Sequence, residues 1–211
     1  MKYLLLISLL CFGLTSCHSE YRALKPAAGR DAACIQAFKP QFGERTLYNT
    51  QVDVLNNHFS GLLFYKRMPD SSMRIVFANE MGFKFFDFEF SKDGRFTKYY
   101  IIPKMDKKAV IKTLQKDFSM ILMQQNPSFA TVYEGYGKLY TAFNLTKGRI
   151  YYITDTACQS LEKVQNGSKR KPVVDIWMKD YKNGVPDSIF IQHKKFKFNI
   201  SSQRVQENVS K

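Results

Sequence analysis

The stretch that decides the fold covers residues 82–102 and reads GFKFFDFEFSKDGRFTKYYII. In its first half Phe86, Phe88 and Phe90 alternate with charged residues, which is the period of a strand with one buried face. The Asp-Gly pair at residues 93–94 favours the tight turn of a β-hairpin. A second strand-like run with three aromatic residues follows the turn, from Phe96 to Ile102. The stretch therefore predicts two antiparallel strands joined by a short turn.

Similar strand patterns lie on both sides of this hairpin, and the composition agrees with them. The chain has 18 Phe and 12 Tyr, and aromatic residues favour strands. Turn-forming residues at 68–72 and 182–184 separate further strand patterns. We predict a last long strand over residues 188–200.

One segment departs from the strand pattern. The pattern of residues 106–123 predicts an α-helix, with Asp106 as its N-cap. Apolar residues at helical spacing form a single stripe along it, and they are Val110, Leu114, Phe118, Ile121 and Leu122. Such a stripe needs an apolar partner, and the concave face of a curved sheet supplies one.

The predicted fold class is therefore mainly β, within the β-rich α+β class. A strongly curved antiparallel sheet, or unclosed β-barrel, wraps around one amphipathic helix at about residues 106–123. Residues 46–205 are expected to form this single domain. Residues 206–211 are expected to be a frayed C-terminus.

The N-terminus carries a separate signal. Lys2 precedes an apolar run over residues 3–14, which has the length of a signal-peptide core and is too short to span a bilayer. The run ends in Leu14-Thr15-Ser16-Cys17, which resembles the lipobox of bacterial lipoproteins. An ordinary secretory signal that happens to contain a cysteine is the alternative.

The lipobox resemblance implies that residues 1–16 are a signal peptide and that Cys17 is the site of lipid attachment, carrying palmitate-type acyl chains. Residues 17–45 would then hold the acylated cysteine and a tether. The protein would be held on a membrane by these acyl chains, since two or more chains bind a bilayer stably.

The net positive charge of the chain indicates which kinds of partner it binds. The formal net charge is +14, and an exported protein rarely meets nucleic acid, so we expect an anionic membrane or envelope surface as the partner and no nucleic acid. Lysines that merely solubilise the domain are the alternative. The cations expected to contribute are Lys169, Arg170, Lys171, Lys194, Lys195 and Lys197.

The residue types that support catalysis or metal binding do not form a recognisable pattern. Cys34 and Cys158 remain after the signal peptide, and the sequence leaves open whether they form a disulfide. No Cys or His pair has the spacing of metal ligands, and the usual enzyme motifs are absent. We therefore expect no catalytic residue, no metal, no cofactor and no enzymatic activity.

Three stretches carry a resemblance to a known family. They are Phe59-Ser60-Gly61-Leu62-Leu63, residues 79–88 with the sequence NEMGFKFFDF, and the ending from Pro186 to Phe198. On these, the chain resembles the DUF4292 type of Bacteroidetes lipoproteins and, more broadly, the unclosed β-barrels of the lipoprotein carriers LolA and LolB. The likeness covers roughly residues 46–200.

This resemblance implies an outer-membrane lipoprotein that faces the periplasm and binds the acyl chains of a lipid or lipoprotein in a cavity between sheet and helix. The candidate lining residues are Leu63, Phe64, Ile75, Phe77, Phe86, Phe88, Ile101, Leu114, Phe118 and Leu122. The alternative is that these side chains pack as a closed core. In that case the protein would be a scaffold for outer-membrane assembly that binds another envelope protein.

Overall fold

The computed structural model describes residues 19–54 and 56–206. Within them one α-helix, α1 (Lys108–Ile121), and two 3₁₀ helices (Ala32–Phe38 and Pro127–Phe129) accompany thirteen strands. The strands are β1 (Lys25–Pro26), β2 (Thr46–Val54), β3 (Asn57–Arg67), β4 (Met73–Ala78), β5 (Lys84–Phe90), β6 (Phe96–Ile101), β7 (Thr131–Gly135), β8 (Lys138–Asn144), β9 (Arg149–Thr154), β10 (Leu161–Gly167), β11 (Pro172–Lys182), β12 (Val185–His193) and β13 (Phe198–Arg204).

The strands form one antiparallel sheet whose two edges are β1 and β6. Its order is β1-β7-β8-β9-β10-β11-β12-β13-β2-β3-β4-β5-β6. Helix α1 is the connection that leads from β6 at one edge to β7 near the other. Its apolar stripe joins side chains from both halves of the sheet in a single core. The predicted fold class, an unclosed antiparallel sheet around one amphipathic helix, is confirmed.

The hairpin of residues 82–102 forms as its sequence predicts. Phe86 pairs with Ile101 and Phe90 with Phe96 in the β5–β6 register. Gly94 closes the turn with φ of +81°, a backbone conformation that glycine adopts without strain. The rings of Phe86 and Phe88 stack on the concave side, with 4.6 Å between their centroids.

The helix begins later than its sequence predicts. Lys107 occupies the N-cap with an extended backbone and makes no capping hydrogen bond through its side chain. Asp106, the expected cap, instead forms an ion pair with Lys98 of β6, with 2.9 Å between nitrogen and oxygen. The prediction of Asp106 as N-cap is wrong because this cation competes for the carboxylate.

The last predicted strand is two strands. The chain leaves β12 at His193 and enters β13 at Phe198, and β13 pairs back against β12. The four residues between them, Lys-Lys-Phe-Lys at 194–197, are all exposed. Their charge favours a solvent-facing turn over a continuous strand, so the single strand predicted over residues 188–200 is wrong.

The segment expected to be a tether is packed against the sheet over its described part. Ile35 and Phe42 are buried in the core, and the Phe42 ring stacks on Tyr65 at 4.1 Å. Cys34 forms a disulfide with Cys158 in the turn between β9 and β10. Apolar side chains and a covalent bond therefore hold the described part of this segment against the sheet.

Successive turns of an antiparallel sheet lie at opposite ends of its strands, so the protein has two distinct ends. At the first, which we call the closed end, residues 30–43 cover the turns at 68–72 and 183–184, and the backbone nitrogen of Gln41 donates to the carbonyl of Gly184. At the second, which we call the mouth, the described turns are those at 79–83, 145–148, 168–171 and 194–197.

Residues 1–18 and 207–211 lie outside the described residues. The signal peptide, lipid attachment at Cys17 and the end of the C-terminus accordingly stay predictions. In the described part of the chain, no helix combines the length and the apolar character needed to cross a membrane.

Candidate functional site

The residues predicted to line an acyl-chain cavity are brought together as core. Nine of the ten belong to one buried cluster between sheet and helix, and they are Leu63, Ile75, Phe77, Phe86, Phe88, Ile101, Leu114, Phe118 and Leu122. Phe118 is only 1% exposed, and its ring centroid lies 5.7 Å from that of Phe86.

The tenth residue, Phe64, lies on the opposite face of the sheet. Its neighbour Leu63 points into the core, and successive side chains of a strand point to opposite faces. The guanidinium of Arg45 lies 6.0 Å from the Phe64 ring centroid. Phe64 therefore cannot line a cavity on the concave side.

Little space remains between the helix and the concave face. The void bounded by Leu63, Phe77, Leu114 and Phe118, among others, measures about 10 Å³. That is room for about one water molecule and not for an acyl chain. The cavity expected among these residues is not open in the structure.

A larger apolar pocket opens at the mouth, and we call it the mouth pocket. Its volume is about 290 Å³, close to the lower end of the range for small-molecule sites. It lies between the start of α1, the end of β2, the start of β3 and the loop that leads into β13. Its lining residues are Val54, Asn57, Phe59, Lys104, Met105, Lys107, Ala109, Val110, Thr113, Phe196 and Phe198.

Side-chain size explains why the pocket lies under the first half of the helix. Ala109, Val110 and Thr113 present short side chains to it, whereas Leu114 and Phe118 present long ones to the core farther along. The same helix face thus changes from small to large residues near its middle. The short side chains leave the space of the pocket between helix and sheet.

Cations stand at the rim of this apolar pocket. The ammonium of Lys104 donates to the side-chain oxygen of Asn57 at 2.5 Å. Lys107 is exposed and forms no ion pair within the part of the chain that the structure describes. Because Asp106 is engaged by Lys98, the rim has a net positive charge. This arrangement suits an apolar chain with an anionic head.

A buried, hydrogen-bonded pair of Asp and His side chains lies beside the pocket. Asp117 of α1 and His193 at the end of β12 are 2.8 Å apart, and both side chains are almost fully buried. Burial raises the pKa of Asp117, while its hydrogen bond with His193 acts in the opposite direction. The His193 ring stacks on Phe198 at 4.8 Å, so the pair supports one wall of the mouth pocket.

One oxygen atom of this buried pair lacks a hydrogen-bond partner. The second carboxylate oxygen, Oδ1 of Asp117, has no hydrogen-bond partner. Next to it, burial lowers the pKa of Lys116, and the Lys116 ammonium donates to Asn166 of β10 at 2.8 Å. These contacts tie the middle of the helix to the sheet at a cost in desolvation.

No group of three His, Cys, Asp or Glu side chains able to hold a metal ion occurs in residues 19–54 and 56–206. The pair of Asp117 and His193 has no nucleophile beside it among its described contacts.

Sequence reasoning missed the mouth pocket because it is assembled from three separated segments. Val54 and Phe59, residues 104–113 and Phe196 with Phe198 meet only in the folded sheet. One local signal was present, namely the short side chains of Ala109, Val110 and Thr113 on the face that continues into Leu114.

Comparisons with known proteins identify similar structures only. No family profile matches the chain, and no curated protein sequence matches it. A DUF1329 family protein from Desulfovibrio piger has a TM-score of 0.42 and 6% identity, over 82% of this chain and 88% of that one. The structure described as an outer membrane lipoprotein-sorting protein domain from Vibrio parahaemolyticus has a TM-score of 0.45 and 6% identity, over 85% of this chain and 92% of that one.

Both likenesses are too distant to assign this chain to a family or to transfer a function. The unclosed antiparallel sheet rests on the strand order of the chain itself. The resemblance to DUF4292 lipoproteins stays a prediction.

Proposed function

We propose that this protein is a lipid-anchored envelope lipoprotein that binds one acyl chain of a lipid or lipoprotein in its mouth pocket. The observation that carries the proposal is the pocket itself, with apolar walls, a volume of about 290 Å³ and lysines at its rim. An acyl chain enclosed there loses water contact, while an anionic head group meets Lys104 and Lys107.

Export and anchoring form the other part of the proposal. The lipobox-like ending at Cys17 supports acylation. The disulfide between Cys34 and Cys158 supports an oxidising compartment, because such bonds rarely persist in a reducing cytosol. The location we propose is the outer membrane, with the domain facing the periplasm, and the role is binding without catalysis.

A fluorescent fatty acid tests the pocket on a soluble form that begins at Ser19 and contains every described element. In Val110→Phe a large side chain fills the pocket, so we expect affinity to fall at least tenfold. Lys112→Phe places the same side chain at an exposed position of the same helix, and its affinity should stay within about threefold of wild type. Equal loss in both variants, or no binding by the wild type, contradicts the proposal.

One observation favours a second candidate. The void between the helix and the concave face of the sheet measures only about 10 Å³, which agrees with a scaffold lipoprotein that binds another envelope protein and carries no lipid. A wild-type protein that fails to bind the fatty acid would support this alternative.

A further inference from the structure

Three of the turns at the mouth lie in the half of the sheet from β8 to β13 and are strongly basic. The described mouth turn in the other half, at residues 79–83, carries Glu80. Residues 145–148, 168–171 and 194–197 contain seven cations and no carboxylate, namely Lys147, Lys169, Arg170, Lys171, Lys194, Lys195 and Lys197. All seven are exposed. We call these three segments the basic turns.

The basic turns are neighbours in space. Lys194 donates its backbone N–H to the carbonyl of Val173 at 2.9 Å, which joins the second turn to the third. The first turn also lies against the second. Its Gly148 is so close to the end of β10 that an added Cβ atom would be only 2.2 Å from the carbonyl oxygen of Gly167. The cations therefore form one continuous patch.

Most of this charge is not neutralised. Lys194 pairs with Asp175, at 3.3 Å between nitrogen and oxygen. None of the other six cations forms an ion pair with a carboxylate in the described part of the chain. At the closed end, by contrast, the carboxylates of Asp70, Asp93 and Asp155 lie within the turns themselves and accept hydrogen bonds there.

An exposed aromatic ring lies among these cations. Phe196 stands between Lys195 and Lys197, and it is 43% exposed although it also lines the mouth pocket. Lysines around an exposed apolar ring fit the interface of a bilayer, where head groups meet the cations and the ring reaches the acyl region.

The described chain begins at this same end. The hydroxyl of Ser19 donates to the carbonyl of Lys169, and the backbone nitrogen of Glu20 donates to the carbonyl of Arg170 at 2.9 Å. Cys17 precedes Ser19 by only two residues, so an acyl anchor on Cys17 must enter the membrane close to the basic turns.

From this juxtaposition we infer that the mouth docks on an anionic phospholipid surface, with the basic turns on the head groups and Phe196 inserted. The mouth pocket then opens directly onto the bilayer. Strand β3 has 11 residues, so the β3–β4 turn at the closed end lies roughly 35 Å from the mouth. Charges there are too far from the head groups to interact with them, because salt screens such interactions beyond about 10 Å. The inference rests on the anchor of the proposed function and is independent of acyl-chain binding.

The test uses the full chain, purified from membranes and reconstituted in vesicles of phosphatidylcholine with or without phosphatidylglycerol. The only tryptophan, Trp177, is replaced by Trp177→Phe. A reporter is then placed at the mouth by Phe196→Trp, or at the closed end by Pro69→Trp. Brominated lipids should quench the mouth reporter strongly in anionic vesicles and the closed-end reporter little.

A matched pair of charge variants isolates the basic turns. The combination of Lys169→Gln, Lys171→Gln and Lys195→Gln should shift the docking equilibrium on the order of a hundredfold and reduce quenching to that of the closed-end reporter. The combination of Lys66→Gln, Lys92→Gln and Lys179→Gln removes the same charge elsewhere and should leave quenching unchanged.

Two failures are distinguishable in these samples. Protein that leaves the vesicles at high salt, as a Cys17→Ala variant should, shows that the anchor is missing. Protein that stays bound at high salt but gives equal quenching at both ends, or no dependence on anionic lipid, overturns the docking inference.

Discussion

The two ends of the sheet meet different physical requirements. At the closed end, the segment before β2 covers the opening with Phe42 stacked on Tyr65, and the disulfide from Cys34 to Cys158 secures it. At the mouth, no segment within residues 19–54 and 56–206 covers the pocket between Val110 and Phe198. One end is therefore built for stability and the other leaves apolar surface available.

Helix α1 shows the same difference along its length. Leu114 and Phe118 are packed among aromatic rings of the sheet, whereas Ala109 and Val110 face unfilled space. Unfilled apolar space forgoes contacts and reduces stability, and beside the helix this space lies at the cationic end.

The largest effect is expected in the packed half of the helix. Phe118→Ala should lower the free energy of unfolding by about 3–5 kcal/mol, through lost burial and a new void. Val110→Ala at the mouth should cost about 1 kcal/mol or less, because its side chain is only half-buried. Urea denaturation measures both, and a loss below about 1 kcal/mol for Phe118→Ala would show that the core is not closed.

The disulfide at the closed end should have the next largest effect. Replacing both cysteines, by Cys34→Ser and Cys158→Ser, should cost about 2–4 kcal/mol, because the bond restricts a long loop of the unfolded chain. Thermal unfolding of the variant, with the wild type in parallel, measures this cost. If residues 30–43 contribute nothing to stability, the two proteins will unfold at the same temperature.

A smaller, pH-dependent effect is expected at the buried pair of Asp117 and His193. Burial raises the pKa of Asp117 above its ordinary value of 3.8, so its favourable contribution to stability is fully present below that value and is lost as the pH rises through the folded-state pKa. The variant Asp117→Asn lacks this titration.

The free energy of unfolding of Asp117→Asn, relative to wild type, should therefore increase as the pH is raised from about 3.5 through the folded-state pKa of Asp117. Urea titrations across this range provide the measurement. A relative stability that is independent of pH, or that decreases, would mean that Asp117 is not held above its ordinary pKa.

Much of the fold could be predicted from the sequence because its signals are local. The alternation of Phe86, Phe88 and Phe90 fixes the buried face of β5, and the stripe from Val110 to Ile121 fixes the orientation of the helix. The break at residues 194–197 was missed because apolar alternation continues across it in Phe196 and Phe198.

The candidate site could not be predicted in the same way. Whether apolar faces interlock depends on the distance between helix and sheet, which no local pattern records. Phe64 shows a simpler error, since strand alternation already places it opposite Leu63. The disulfide depended on two cysteines 124 positions apart, and sequence carries no information on their separation in space.

The most direct test of the central claim is to locate a bound acyl chain. A crystal of the soluble form soaked with a fatty acid brominated along its chain would give an anomalous bromine signal at the position of that chain. The account predicts a peak in the mouth pocket, between Val110 and Phe198. A peak in the core beside Leu63 and Phe118, or no peak at saturating ligand, would contradict it.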